Sequence, residues 1–140
     1  MRHLLGAIAV LLALTGCGEE DPEPAVHPPA TVDPVLVHAT SGRGAPATEA
    51  TALPDAAAVE EYAAQFDDVL AEKVQRAAAG IEVGADEHLV AQVLAVGCDV
   101  PPAAAYRDGA FVPAEVTSPL EECFAPVTTV ALAAVPEQGD

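Results

Sequence analysis

The chain has 140 residues, enough for one small domain after any export signal is removed. It carries 22 acidic against 5 basic side chains, a net charge of −17, so phosphate backbones and anionic headgroups repel it; this disfavours nucleic acid, and no nucleic-acid partner is expected. Hydrophobic residues make up 51% of the chain, but much of that share is alanine and there is no tryptophan, so few large side chains are available to pack a core.

Met1-Arg2-His3 is a short basic start, and Leu4 to Leu14 is an apolar run too short to cross a bilayer, the pattern of a signal-peptide core. The run ends in Leu14-Thr15-Gly16-Cys17, with a small residue directly before the cysteine. These four residues resemble the lipobox of bacterial lipoproteins. The resemblance covers residues 1–17 alone. It implies that residues 1–16 are a signal peptide and that the Cys17 thiol takes a diacylglycerol and becomes the N-terminus. The mature chain would then be lipid-anchored to the cell membrane on its extracytoplasmic side. Loss of Arg2 with the signal leaves 22 acids against 4 bases, a charge of −18.

Residues 17–54 read as an acidic tether rich in Pro, Ala and Thr. Glu19, Glu20, Asp21 and Glu23 open it, and Pro22, Pro24, Pro28, Pro29, Pro34, Pro46 and Pro54 recur without helical or strand period. Proline denies backbone donors and favours extended chain, which predicts a solvated spacer. Its 37 residues from Gly18 to Pro54 would span roughly 35 Å as a coil and about 115 Å when extended. Val35-Leu36-Val37 is its one apolar cluster, able to add an edge strand. Thr31, Thr40, Ser41, Thr48 and Thr51 are unmodified linker hydroxyls or, as composition hints, sugar acceptors.

The folded domain is expected over residues 55–136, with 137–140 as a polar tail. Asp55 can cap a helix, and Val59, Tyr62, Ala63, Phe66, Val69, Leu70, Val74 and Ala77 then recur at spacings of three and four. One amphipathic helix from about 56 to 79 is predicted, ended by Gly80. Glu60, Glu61, Asp67, Asp68 and Glu72 lie opposite this stripe or at its borders; they read as a solvated face, with a cation site as the alternative. Lys73, the only lysine, falls inside the stripe. Its stem packs while the ammonium reaches water or a carboxylate; otherwise it serves as a desolvated base or anion anchor.

Residues 81–86 form a connection with Gly84 as turn signal. Glu87 to Val96 fits a strand with faces His88/Val90/Gln92/Leu94/Val96 and Leu89/Ala91/Val93/Ala95, or a buried helix capped by Asp86; the β-like segments that follow favour the strand. Tyr106-Arg107-Asp108-Gly109-Ala110-Phe111 reads as a hairpin, because Asp-Gly suits a two-residue turn with positive φ at both positions. That register sets Tyr106 opposite Phe111. Pro113 and Pro119 keep the next stretch short or at an edge. Val127 to Val135 is a continuous apolar run suited to a central strand.

With Cys17 lipidated, Cys98 and Cys123 remain as an even pair in an oxidising compartment. They fall at the same end of the sheet if the strands at 87–96 and 127–135 run antiparallel side by side. A disulfide is expected there, contributing about 3.5 kcal/mol by chain entropy. The fold class is therefore α+β: one long amphipathic helix on a small antiparallel sheet, stapled by one disulfide.

Catalytic constellations are thin. His88 is the only histidine of residues 55–136, beside Asp86 and Glu87 at a polar turn, and Ser118 precedes a proline. Glu121-Glu122 lack an evident sugar cleft, and Asp86-Glu87-His88 could offer metal ligands but read as an exposed polar turn. There is no phosphate loop, EF-hand or dinucleotide fingerprint, so no cofactor and no metal are expected. The leading reading is a non-catalytic binding or accessory module of the cell envelope, facing a protein or cell-wall polymer partner that is neutral or basic. The alternative is a small extracytoplasmic enzyme or enzyme inhibitor using His88, Lys73 or the acidic residues; a third is a structural surface protein. An apolar patch on the sheet would favour the first, and a pocket joining His88 to Lys73 the second.

Overall fold

A computed structural model of the chain describes residues 32–137. Cys17, the signal region, the first part of the tether and residues 138–140 lie outside the described residues. The elements in chain order are β1 (Val35–Thr40), β2 (Thr51–Ala52), α1 (Ala56–Ala63), α2 (Asp68–Gly80), β3 (Glu87–Gly97), β4 (Ala104–Arg107), β5 (Ala110–Pro113) and β6 (Val127–Pro136). β1, β6, β3 and β2 form an antiparallel sheet in that spatial order, and β4 and β5 form a separate hairpin.

The central pair is β3 and β6, both rich in Val and Ala and both buried along most of their length. Period-two alternation sends Leu89, Ala91, Val93, Val130 and Leu132 to one face, where α1 and α2 cover them. Val90, Leu94, Ala131, Ala133 and Val135 go to the other, where the hairpin lays Phe111 over them. Burial on both faces is why these strands read as apolar runs rather than alternating ones. It also decides Glu87 to Val96 in favour of a strand. A register shift between Val93 and Ala95 marks a bulge at Leu94. It turns Ala95 towards the hairpin-side cluster, off the face that strict alternation assigns it, and leaves Val96 exposed.

The hairpin has the expected register. Asp108 (φ 51°) and Gly109 (φ 82°) make the two-residue turn, and Tyr106 pairs with Phe111 with ring centroids 5.0 Å apart, edge to face. Cys98 and Cys123 are joined in a disulfide with Cα atoms 5.2 Å apart. The condition for it holds: β3 and β6 are antiparallel neighbours, and Gly97 opposes Val127 at that end.

Two expectations need correction. The helix expected over 56–79 is two helices. Asp67 caps α2, its Oδ1 accepting from the Leu70 N–H at 2.8 Å. The Asp67 N–H donates to the Gly42 carbonyl at 3.0 Å, and Phe66 bridges to Arg43. The chain leaves the helix at 64–67 because this backbone pairing and the new cap replace the helical bonds. Phe66 thereby packs on Gly44, where a Cβ would stand 2.7 Å from its ring and φ is +78°. Val69, assigned to the apolar stripe, is 57% exposed, and Gly80 is the last helical residue without a positive φ.

The tether boundary at residue 54 also moves. β1 and β2 belong to the sheet, and the chain between them lies along β3, with the Ala47 N–H bonded to the Val93 carbonyl at 3.0 Å. Pro34 and Pro46 flank β1 without entering it, so its six residues keep every N–H and pair with β6. His38 is therefore a strand residue.

Gln92 is the polar group at the centre of this packing, 4% exposed on the hairpin side of β3. Its Oε1 accepts from the Phe111 N–H at 2.6 Å and its Nε2 donates to the Ala47 carbonyl at 2.8 Å. Gln92→Leu fills the space but strands the Phe111 N–H. The variant is expected to lose about 1–3 kcal/mol in urea unfolding with an unchanged slope; a loss below about 0.5 kcal/mol would show that the amide only fills volume.

Candidate functional site

The end of the sheet where β3 begins and β6 finishes holds a cavity of about 600 Å³. Its floor is apolar: Leu53 from the end of β2, Val59 from α1 and Leu89 from β3. Ala78 and Ala79 bring in the last turn of α2, which has no basic residue to offset the negative end of the helix dipole. Asp55, Glu60, Glu87 and Glu137 line the walls. None of Arg43, Lys73, Arg76 and Arg107, the basic side chains among the described residues, does.

Local structure fixes two of these acids. Asp55 caps α1, accepting from the Ala58 N–H at 2.8 Å, and Glu87 accepts from the Gly84 N–H at 2.9 Å in the turn before β3. Glu60 sits one helical turn beyond the cap, and Glu137 is carried in by β6, its N–H bonded to the Asp86 carbonyl at 2.9 Å. Both are exposed at the rim. A smaller cavity of about 310 Å³ shares Glu87 and adds Asp33 and Glu82, so the acidic character extends across this end of the sheet. Among the described residues, no three His, Cys, Asp or Glu side chains converge closely enough to hold one metal ion.

The residues singled out from the sequence are dispersed. His88 lines the cavity beside Glu87. Lys73 does not: its stem packs in the stripe and its partly exposed ammonium donates to the His38 carbonyl at 2.8 Å. Ser41 donates to Pro126 in the next position of the β1–β6 ladder, so by alternation the His38 carbonyl points to the free edge of the sheet. Lys73 thus blunts an edge strand. Glu72 pairs with Arg76 on the exposed side of α2, Asp67 is a cap, and Glu61 and Asp68 are exposed. Ser118, Glu121 and Glu122 lie exposed in the loop between β5 and β6, where Leu120 and Phe124 are also exposed beside Cys123. The faces of β3 and β6 are covered by the helices and the hairpin, so they offer no apolar patch for a partner.

Tyr62, placed by the periodicity in the apolar stripe, carries a polar group that the stripe did not account for. Its ring stacks edge to face on Phe66, its hydroxyl is buried without a partner among the described residues, and burial pushes the phenol well above its ordinary value.

No protein family, curated protein or solved structure matches the chain. Among the described residues no helix is long and apolar enough to cross a membrane.

Because Lys73 satisfies an edge carbonyl from a partly exposed position, Lys73→Met keeps the stem and removes only the cap. A loss of about 0.5–1.5 kcal/mol in urea unfolding is expected. A gain in stability would identify Lys73 as a strained, desolvated cation instead.

Proposed function

We propose that the chain is an exported lipoprotein, held by lipid on Cys17 to the extracytoplasmic side of the cell membrane, whose α+β domain is a non-catalytic binding module. Its partner, a protein or cell-wall polymer, presents a neutral or basic surface. The anchor rests on the Leu14-Thr15-Gly16-Cys17 resemblance. The binding role is supported by one observation above the others: the main cavity is walled by Asp55, Glu60, Glu87 and Glu137 over an apolar floor. Acidic walls attract cationic groups, and an apolar floor contributes burial without chemistry of its own.

The enzyme reading keeps one point in its favour, the placement of His88 next to Glu87 in that cavity. Against it stands the use of the other reactive groups elsewhere: Lys73 caps the His38 carbonyl, and Cys98 and Cys123 are bonded to each other.

Co-purification from detergent-solubilised membranes tests the reading. Cys17→Ser should move the protein out of the membrane fraction. Glu60→Lys, Glu61→Lys and Glu137→Lys together should abolish partner capture, and wild-type capture should weaken as salt rises. His88→Ala should leave capture intact. Loss of the cellular phenotype in a folded His88→Ala chain, with the charge-reversed chain behaving as wild type, would establish the enzyme reading. Membrane retention of Cys17→Ser together with a wild-type chain that is itself mainly unprocessed would remove the anchor.

A further inference from the structure

Building on the binding reading, we infer that the 600 Å³ cavity at the start of β3 takes an organic cation, an alkylammonium or guanidinium head on an apolar stem. The volume lies within the range of small-molecule sites, about 300–1,000 Å³. The floor of Leu53 and Leu89, 3% and 7% exposed, is fixed by strand pairing, since the Leu53 N–H bonds to the Leu89 carbonyl at 2.8 Å. It offers rigid apolar contact for a stem, while the polar lining of the cavity is the four carboxylates with Gln75 and His88.

The charges around this floor have one sign. Asp55 and Glu60 come from α1 and its cap, Glu87 from β3 and Glu137 from the end of β6, and they line the cavity without converging on one point. A bare divalent ion needs several oxygens at about 2.0–2.6 Å, whereas a wide rim of carboxylates suits a head that donates several hydrogen bonds in different directions. The last turn of α2 adds the negative end of its dipole through Ala78 and Ala79. The start of α1 acts in the opposite sense, but the Asp55 carboxylate already occupies its free Ala58 N–H. The resulting field selects cations and rejects carboxylates and phosphates of similar size.

One chemistry covers two sources, a free alkylamine and a lysine side chain of a polypeptide, and a titration separates them. The full-length chain in non-ionic detergent is titrated with n-butylammonium, n-butanol, butyrate and a capped Ala-Leu-Lys peptide, with amide NMR shifts as readout. Saturable shifts are expected at Leu53, Ala79 and Leu89, with n-butylammonium binding about tenfold more tightly than n-butanol and butyrate not binding. Glu60→Gln with Glu137→Gln, both at exposed positions, should weaken n-butylammonium binding about fivefold, the effect of two exposed charge pairs. Tighter binding of the peptide assigns the head to a polypeptide partner; tighter binding of the amine assigns it to a free ligand. Equal binding of n-butanol, shifts confined to other residues, or no saturation by either cation would overturn the inference. If it falls while charge reversal still abolishes partner capture, the binding reading stands without a small cation in the cavity; if both fail, the reading falls with it.

Discussion

The structure turns on one buried amide. β3 is the strand that both layers need, covered by helices on one face and by the hairpin on the other, and Gln92 interrupts its apolar sequence near the middle. With the Phe111 N–H bonded to its oxygen and the Ala47 carbonyl to its nitrogen, the side chain ties sheet, hairpin and the 41–50 segment to one position. A domain with so few large side chains gains little from shape complementarity alone. A buried amide whose hydrogen bonds are made only in one arrangement supplies specificity that alanine and valine cannot.

The margins of the sheet follow from the same shortage. β1 leaves a free edge, and the chain's one lysine reaches it from α2 to occupy the His38 carbonyl. The other edge is lined by β2 and the segment before it. The disulfide closes the end where β3 and β6 separate into loops, and the loop it pins holds the Leu120 N–H on Asp99 at 2.8 Å. At the opposite end no such closure exists. There the strand and helix termini converge on Leu53 and Leu89 and leave the acidic cavity open. The cavity is the consequence of bringing the termini of β2, α1, α2, β3 and β6 together with acids and small residues.

Locally encoded features were readable from the sequence. Asp108-Gly109 dictates its turn by backbone conformation alone, Val127 to Val135 can only be buried, and two cysteines outside the signal can pair in one way. The features that escaped depend on distant partners. Phe66 and Asp67 fit the helical period perfectly well, and only pairing with Gly42 and Arg43 takes them out of it. Val35-Leu36-Val37 was legible as a possible edge strand, which β1 is, but its place inside the domain was not, because its strand partner lies some ninety residues later. The cavity was not legible at all: residues 55, 60, 87 and 137 share no spacing, and the antiparallel β3–β6 register brings the last two together. Gln92 did carry a signal, a polar residue inside an apolar run, which alternation alone assigned to a face without giving it a partner.

The claim that Gln92 locks the hairpin to the sheet is tested most directly by native-state hydrogen exchange at the Phe111 amide. The Phe111 N–H faces the sheet and bonds to a side chain, so its protection reports that bond alone. The account predicts exchange as slow as at Val130 and Leu132 in β6, through global unfolding. Exchange much faster than at Val130 and Leu132 would mean that the hairpin opens independently, and would contradict it.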